Sequence, residues 1–214
     1  MKQPKPEHIS WIKAAIFAAS LLPLMRLAWL GMHRGLGANP IEYITHSTGW
    51  WALVFLLITL SVTPLRRLAT LPWLLRLRRM LGLFAFFYAS LHFVTYIWLD
   101  QFFNLRDIVK DVVKRPFITV GFAAFLLLVP LAATSTNAMV RRLGAKRWQY
   151  LHRLIYLIGG LGVIHFWWLV KKDITEPFIF AILLAALLII RLLHLLRQQR
   201  AAAAAGAAAR SRTA

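Results

Sequence analysis

The run from Trp148 to Trp168, WQYLHRLIYLIGGLGVIHFWW, constrains this chain more than any other stretch. It is almost unbroken in its apolarity, and at about 1.5 Å per residue it covers a bilayer core of roughly 30 Å. Yet it carries two imidazoles, His152 and His165, one near each end. An ionisable side chain in a spanning helix costs a few kcal/mol unless something satisfies it, so it marks function by default. A third imidazole, His92, sits inside another apolar run, LFAFFYASLHFVTYIW. Imidazoles placed in this way read as ligands of haem iron held within a membrane.

Composition narrows the classes. Of 214 residues, 60% are hydrophobic, and the mean hydropathy is +0.64. Soluble domains are usually only about 45–50% apolar. On a soluble protein the formal charge of +19 would point to nucleic acid. Here most Lys and Arg crowd short segments between apolar runs, where basic residues set membrane orientation, so no nucleic-acid partner is expected. The chain has no cysteine, which excludes disulfides, iron–sulfur clusters and thiolate-ligated haem. The basic start, MKQPKPEHIS, leads into a run long enough to span and shows no small-residue cleavage site. The first helix is therefore expected to be retained rather than removed as a signal peptide.

In chain order, the expected architecture is an all-α polytopic membrane bundle of six spans. They run about Ile9–Leu30, Gly49–Val62 (starting as early as Ile44), Met80–Leu99, Pro116–Ala133, Trp148–Trp168 and Pro177–Leu196. Pro23 should kink the first. Arg26 near its end either snorkels to the interface or touches a partner or a quinone. Gly31 to Thr48 and the mixed-charge stretch Asp100–Arg115 read as loops. Residues 1–196 form the membrane domain, and the alanine-rich 197–214 reads as a frayed or disordered cytoplasmic tail.

Orientation follows from the connections. The second carries Arg66, Arg67, Arg76, Arg78 and Arg79 with no acid, and the fourth Arg141, Arg142, Lys146 and Arg147 with none. The first carries Arg34 alone, the third sets Arg106, Lys110, Lys114 and Arg115 against three aspartates, and the fifth sets Lys171 and Lys172 against Asp173 and Glu176. Both termini are basic, so both are expected in the cytoplasm.

Depth then decides which histidines can share a metal. Counting from the cytoplasmic ends, Met80 and Tyr150, His92 lies about 18 Å in, His165 about 22 Å and His152 about 3 Å. His92 and His165 differ by roughly 4 Å, whereas His92 and His152 differ by roughly 15 Å. The expected axial pair is His92 with His165, holding a b-type haem toward the outer half of the membrane. Thirteen positions before His92 stands Arg79, not histidine, so His152 lacks a partner. It either binds a second haem with an unusual or missing sixth ligand, contacts a quinone or flavin, or satisfies an interface. Gly159, Gly160 and Gly162 between the two histidines serve close helix packing, room for a flat macrocycle, or both. His46, in HSTGW, stands either at a partner, quinone or propionate contact or on the surface. His33, His8 and His194 read as structural, and Trp167 and Trp168 beside His165 as interfacial residues that could border the haem.

At these residues the chain resembles a known family. Helix 5 with WQYLHRLIY and a second histidine thirteen positions on is similar to the ferric reductase-like transmembrane domain of ferric reductases and NADPH oxidases. Within that family the resemblance is to haem-binding membrane subunits of bacterial methionine sulfoxide reductase systems. It extends over nearly the whole chain: LLP in helix 1, GLGANP, HSTG at His46–Gly49, TPLRR, RRMLGL, Leu91-His92, KRPF, the TST…RRLG connection and WQYLHRL. The resemblance implies an inner-membrane electron conduit. Electrons would come from the quinone pool, or from a cytoplasmic flavin reductase, through haem b and possible FMN. They would pass to a periplasmic molybdopterin-containing catalytic subunit that reduces methionine sulfoxide in oxidised proteins. It also maps His92, His152 and His165 onto the family's haem-associated histidines. The larger relatives carry two histidines on each of two helices, where this chain has one on helix 3.

The six expected spans leave no stretch for a nucleotide-binding domain, and no GxGxxG occurs, so electrons are expected from another protein. The chain is thus read as an electron-transfer subunit that is not catalytic on its own. The alternatives are a stand-alone transmembrane ferric or oxygen reductase, and a cofactor-free transporter or scaffold. Broken helices and paired intramembrane charges would favour a transporter, and the sequence shows few.

Overall fold

The structure is a computed structural model that describes residues 4–170 and 173–211. Lys171 and Lys172, counted above for orientation, lie outside the described residues, as do Lys2 and Arg212 of the basic termini. Among those described, nine α-helices and no strand occur: α1 Pro6–Met32, α2 Pro40–Leu68, α3 Leu75–Thr95, α4 Leu105–Lys114, α5 Pro116–Ala133, α6 Asn137–Leu143, α7 Ala145–His152, α8 Leu154–Leu169 and α9 Thr175–Ser211.

Five of these segments are long and apolar enough to cross a membrane: Pro6–Met32, Pro40–Leu68, Pro72–Asp100, Pro116–Ala133 and Thr175–Ala205. The expected sixth span is not one helix. The run that opens the sequence argument breaks at Arg153, where Arg153 N–H bonds back to Tyr150 and Tyr156 N–H to Arg153, both three residues away. That tightened turn splits it into α7 and the 16-residue α8.

Several boundaries moved for identifiable reasons. α2 starts at Pro40 rather than Gly49, because Asn39 accepts the Glu42 N–H at 3.3 Å and proline fits the first helical turn. It also runs through Pro64 instead of ending there. A proline leaves the carbonyl four residues earlier without its partner, here that of Leu60. Arg191 of α9 reaches across and donates to that carbonyl at 2.8 Å, with a second bond to the Tyr156 hydroxyl. The alanine-rich stretch, expected to be frayed, continues α9 to Ser211 without a break at residue 196, as the high helix propensity of alanine favours.

α2 is the centre of the bundle. Half of its most apolar window is buried, against 11% for α1 and for α9. It packs most closely on α3, while α5 packs most closely on α8. Leu53, Phe55, Leu56 and Leu60 of α2 meet Phe84 and Tyr88 of α3 in the core, and the Tyr88 hydroxyl ties α1 in by donating to the Ser20 carbonyl at 2.7 Å. These two close pairs, α2 with α3 and α5 with α8, position the site.

Candidate functional site

His92 on α3 and His165 on α8 face each other with ring centroids 6.0 Å apart and planes at 75°. Each ring is fixed in the same manner. His92 Nδ1 bonds the Thr45 carbonyl of α2 at 2.9 Å, and His165 Nδ1 bonds the Phe117 carbonyl of α5 at 2.7 Å. A carbonyl only accepts, so each Nδ1 carries a proton, and in the neutral ring Nε2 keeps its lone pair. Among the described residues, neither Nε2 has a protein hydrogen-bond partner.

One turn beyond each accepting carbonyl stands a glycine. A Cβ at Gly49 would lie 2.9 Å from His92 Nδ1, and one at Gly121 would lie 2.6 Å from His165 Nδ1. Only a residue without a side chain lets the imidazole press against the neighbouring helix backbone. The two helix pairs thus repeat one device: an acceptor carbonyl, a glycine four residues later, and a histidine from the partner helix laid across both.

The histidines line a cavity of about 550 Å³. Small residues, among them Gly49, Ala52, Ala85, Ala89, Gly121 and Gly162, give it width, and exposed Glu42, Asp100, Arg115 and Glu176 line its rim. A metal–imidazole bond is about 2 Å and the ring nitrogen sits about 1.1 Å from its centroid, so one metal held by both rings would leave their centroids no more than roughly 6.2 Å apart. The observed 6.0 Å suits that arrangement. No group of three or more His, Asp or Glu side chains that could hold a bare ion occurs among the described residues. Two free imidazole nitrogens in an apolar cavity suit a metal whose other four positions a macrocycle already fills.

The other candidates fall elsewhere. His152 lies apart from the pair, at the break before α8. Its ring stacks on Trp148 with centroids 3.9 Å apart, and its Nε2 sits 3.0 Å from the Thr134 hydroxyl. Trp148 Nε1–H donates to the Thr134 carbonyl at 2.9 Å, so the three residues stitch α7 to the end of α5. His46 is exposed and lines the cavity, whereas Arg26 is exposed on α1 and does not reach it. Trp167 and Trp168 do not border the cavity; Trp167 packs on Phe178, and Trp50 and Phe166 take the place expected for them. Gly162 serves both packing, 3.3 Å from Leu53 for an added Cβ, and the cavity wall. Sequence reasoning missed Thr45, Phe117, Gly49 and Gly121. A glycine inside an apolar helix was the available signal, but nothing in the sequence says which helix it faces.

The family described as "Ferric reductase like transmembrane component" matches residues 48–163. The "Protein-methionine-sulfoxide reductase heme-binding subunit MsrQ" of Herminiimonas arsenicoxydans is 59% identical over 85% of this chain and 84% of its own. The chain belongs to the ferric reductase-like transmembrane family. Proteins of the same printed name from Ralstonia nicotianae, 53% identical over 84% of each chain, and from Xanthomonas campestris pv. campestris, 54% identical over 81% of this chain and 82% of its own, match it as well. The resemblance read from the motifs is therefore shown, down to these heme-binding subunits of methionine sulfoxide reductase. The family match begins at Thr48 and ends at Val163, so it takes in Gly49, His92, Gly121 and His152 and stops two residues short of His165.

Proposed function

We propose that this ferric reductase-like membrane protein holds one b-type haem between His92 and His165 and relays electrons through it. The observation that carries the reading is the facing pair of rings, 6.0 Å apart, each with its Nδ1 proton committed to a main-chain carbonyl. A haem bound there would supply a one-electron carrier inside the low-dielectric bundle. The chain's own part is to fix both rings in one tautomer, to clear the slot with Gly49 and Gly121, and to keep water out with apolar walls. His152, engaged by Thr134 and Trp148, is an interface residue in this reading and not an axial ligand.

We further assign α7 and α8 together as the sixth crossing, which places both termini in the cytoplasm of a bacterial inner membrane. The cavity rim then faces the periplasm. From that side electrons pass to a molybdopterin-containing catalytic subunit that reduces methionine sulfoxide. They arrive from the quinone pool or from a cytoplasmic flavin reductase. The printed names of the relatives and the five apolar helices support this placement.

The test is a reduced-minus-oxidised spectrum with haem stoichiometry on the purified full chain. One low-spin haem per chain is expected, lost in His92→Ala and in His165→Ala. A folded variant of either that keeps the low-spin spectrum overturns the pair. Reduction by a quinol in vesicles, set against reduction by flavin with its reductase, separates the two donors. Rapid reduction of ferric chelates by the isolated chain would make it a reductase in its own right.

A further inference from the structure

The stretch between α3 and α5, expected as a mixed-charge loop, contains a sharply two-sided helix. At about 100° per residue, Leu105, Ile108, Val109, Val112 and Val113 of α4 fall within an arc of about 140°. The five charged residues of α4 fill the rest. Ile108 is buried against the bundle, yet Leu105, Val109 and Val113 are 76%, 61% and 77% exposed. Immediately before the helix, Phe102 and Phe103 have φ of +47° and +59°, a region that bulky residues rarely enter. Both rings are exposed. The chain is strained here, and the outcome is more apolar surface on the outside.

We propose that α4 is an in-plane lipid anchor, lying along the bilayer surface with Leu105, Val109, Val113 and the two phenylalanines among the acyl chains. Three features favour lipid over a protein partner. The helix is tethered at both ends to candidate spans, Pro72–Asp100 and Pro116–Ala133, by connectors of four residues and one, so it cannot leave the level of the membrane boundary. The spans on either side carry exposed apolar side chains of their own, Trp98 and Leu126 among them, as lipid-facing helices do. Charge is sorted as well. On the helical wheel Arg106 and Lys110 follow the exposed strip, about 20° and 60° beyond Val113 and within snorkelling reach of lipid phosphates. Asp107 and Asp111 lie on the far side, where Gln101 at 3.2 Å and Arg115 at 3.4 Å engage Asp111.

The chain has no cysteine, so single cysteines can report position. Val109→Cys and Val113→Cys, Asp107→Cys and Lys114→Cys as aqueous controls, and Leu126→Cys on α5 are each spin-labelled in the full chain. The chains are then reconstituted in vesicles of phosphatidylethanolamine and phosphatidylglycerol. Relaxation by oxygen relative to a water-soluble nickel chelate should be several-fold higher at 109 and 113 than at 107 and 114, with similar shallow depths for 109 and 113. The anchor rests on the membrane reading of the spans, and label 126 keeps the two separable. A lipid-shielded 126 beside nickel-accessible 109 and 113 sinks the anchor alone; a nickel-accessible 126 sinks the span reading and the anchor with it.

Discussion

The two halves of the bundle are built on the same helices and do different things. In the half that holds the cavity, α2 with α3 and α5 with α8 carry matching histidine, carbonyl and glycine sets, and the two rings meet. In the other half the match fails. Along α3 the position thirteen before His92 is Arg79, which bonds the Asn137 side chain at 2.7 Å. Gly82 there faces Thr59, an added Cβ meeting it at an ordinary 3.5 Å. Opposite, the helix is interrupted at Arg153, and His152 is taken up by Thr134 and Trp148. Equal helices do not make equal sites: a metal needs both pairs to present a free nitrogen at one level, and only one half does.

The glycines test that contrast most severely. Gly121→Ala would place a methyl 2.6 Å from the His165 ring, and haem affinity should fall by more than about tenfold, roughly 1.4 kcal/mol. Gly49→Ala, with 2.9 Å available, should lose less; haem titration of the apoprotein reads both. Unchanged haem affinity in both variants would break the claim that the cradles are needed. Next comes the other half. Arg191→Met leaves the Leu60 carbonyl and Tyr156 hydroxyl without their donor and should cost about 1–3 kcal/mol of stability, seen as a lower midpoint in thermal melts with the haem spectrum unchanged. The smallest effect is expected for His152→Ala, about 1 kcal/mol for the lost hydrogen bond, with one low-spin haem kept. Haem loss in that variant, while the chain stays folded, would move His152 into the ligand set.

That His92 and His165 face each other was legible because depth along a helix is arithmetic. His92 and His165 could be paired from their positions and a constant rise, with no knowledge of how the helices tilt. What arithmetic misses is lateral: Gly49 and Gly121 matter through the helices they face, and sequence spacing does not encode that. The break at Arg153 was hidden by continuous apolarity, since local hydrophobicity does not register that Thr134 captures two side chains from α7. α4 was misread as a loop for the opposite reason. Its charges drew notice away from the apolar recurrence at 105, 108, 109, 112 and 113, which is helical. The long α2 shows the limit of proline as a stop signal, because Arg191, distant in sequence, supplies the donor that Pro64 lacks.

The main-chain carbonyls that hold the two imidazoles have an electronic consequence. An uncharged amide oxygen draws less on the ring proton than a carboxylate would, so each ring would remain a neutral donor, without imidazolate character, toward an iron held beside it. Such donors would comparatively favour the reduced, less positive state of that metal. A peptide group also has no titration of its own near neutrality, so this part of the rings' donor strength is fixed by where the helices place their backbone and not by an ionisable side chain.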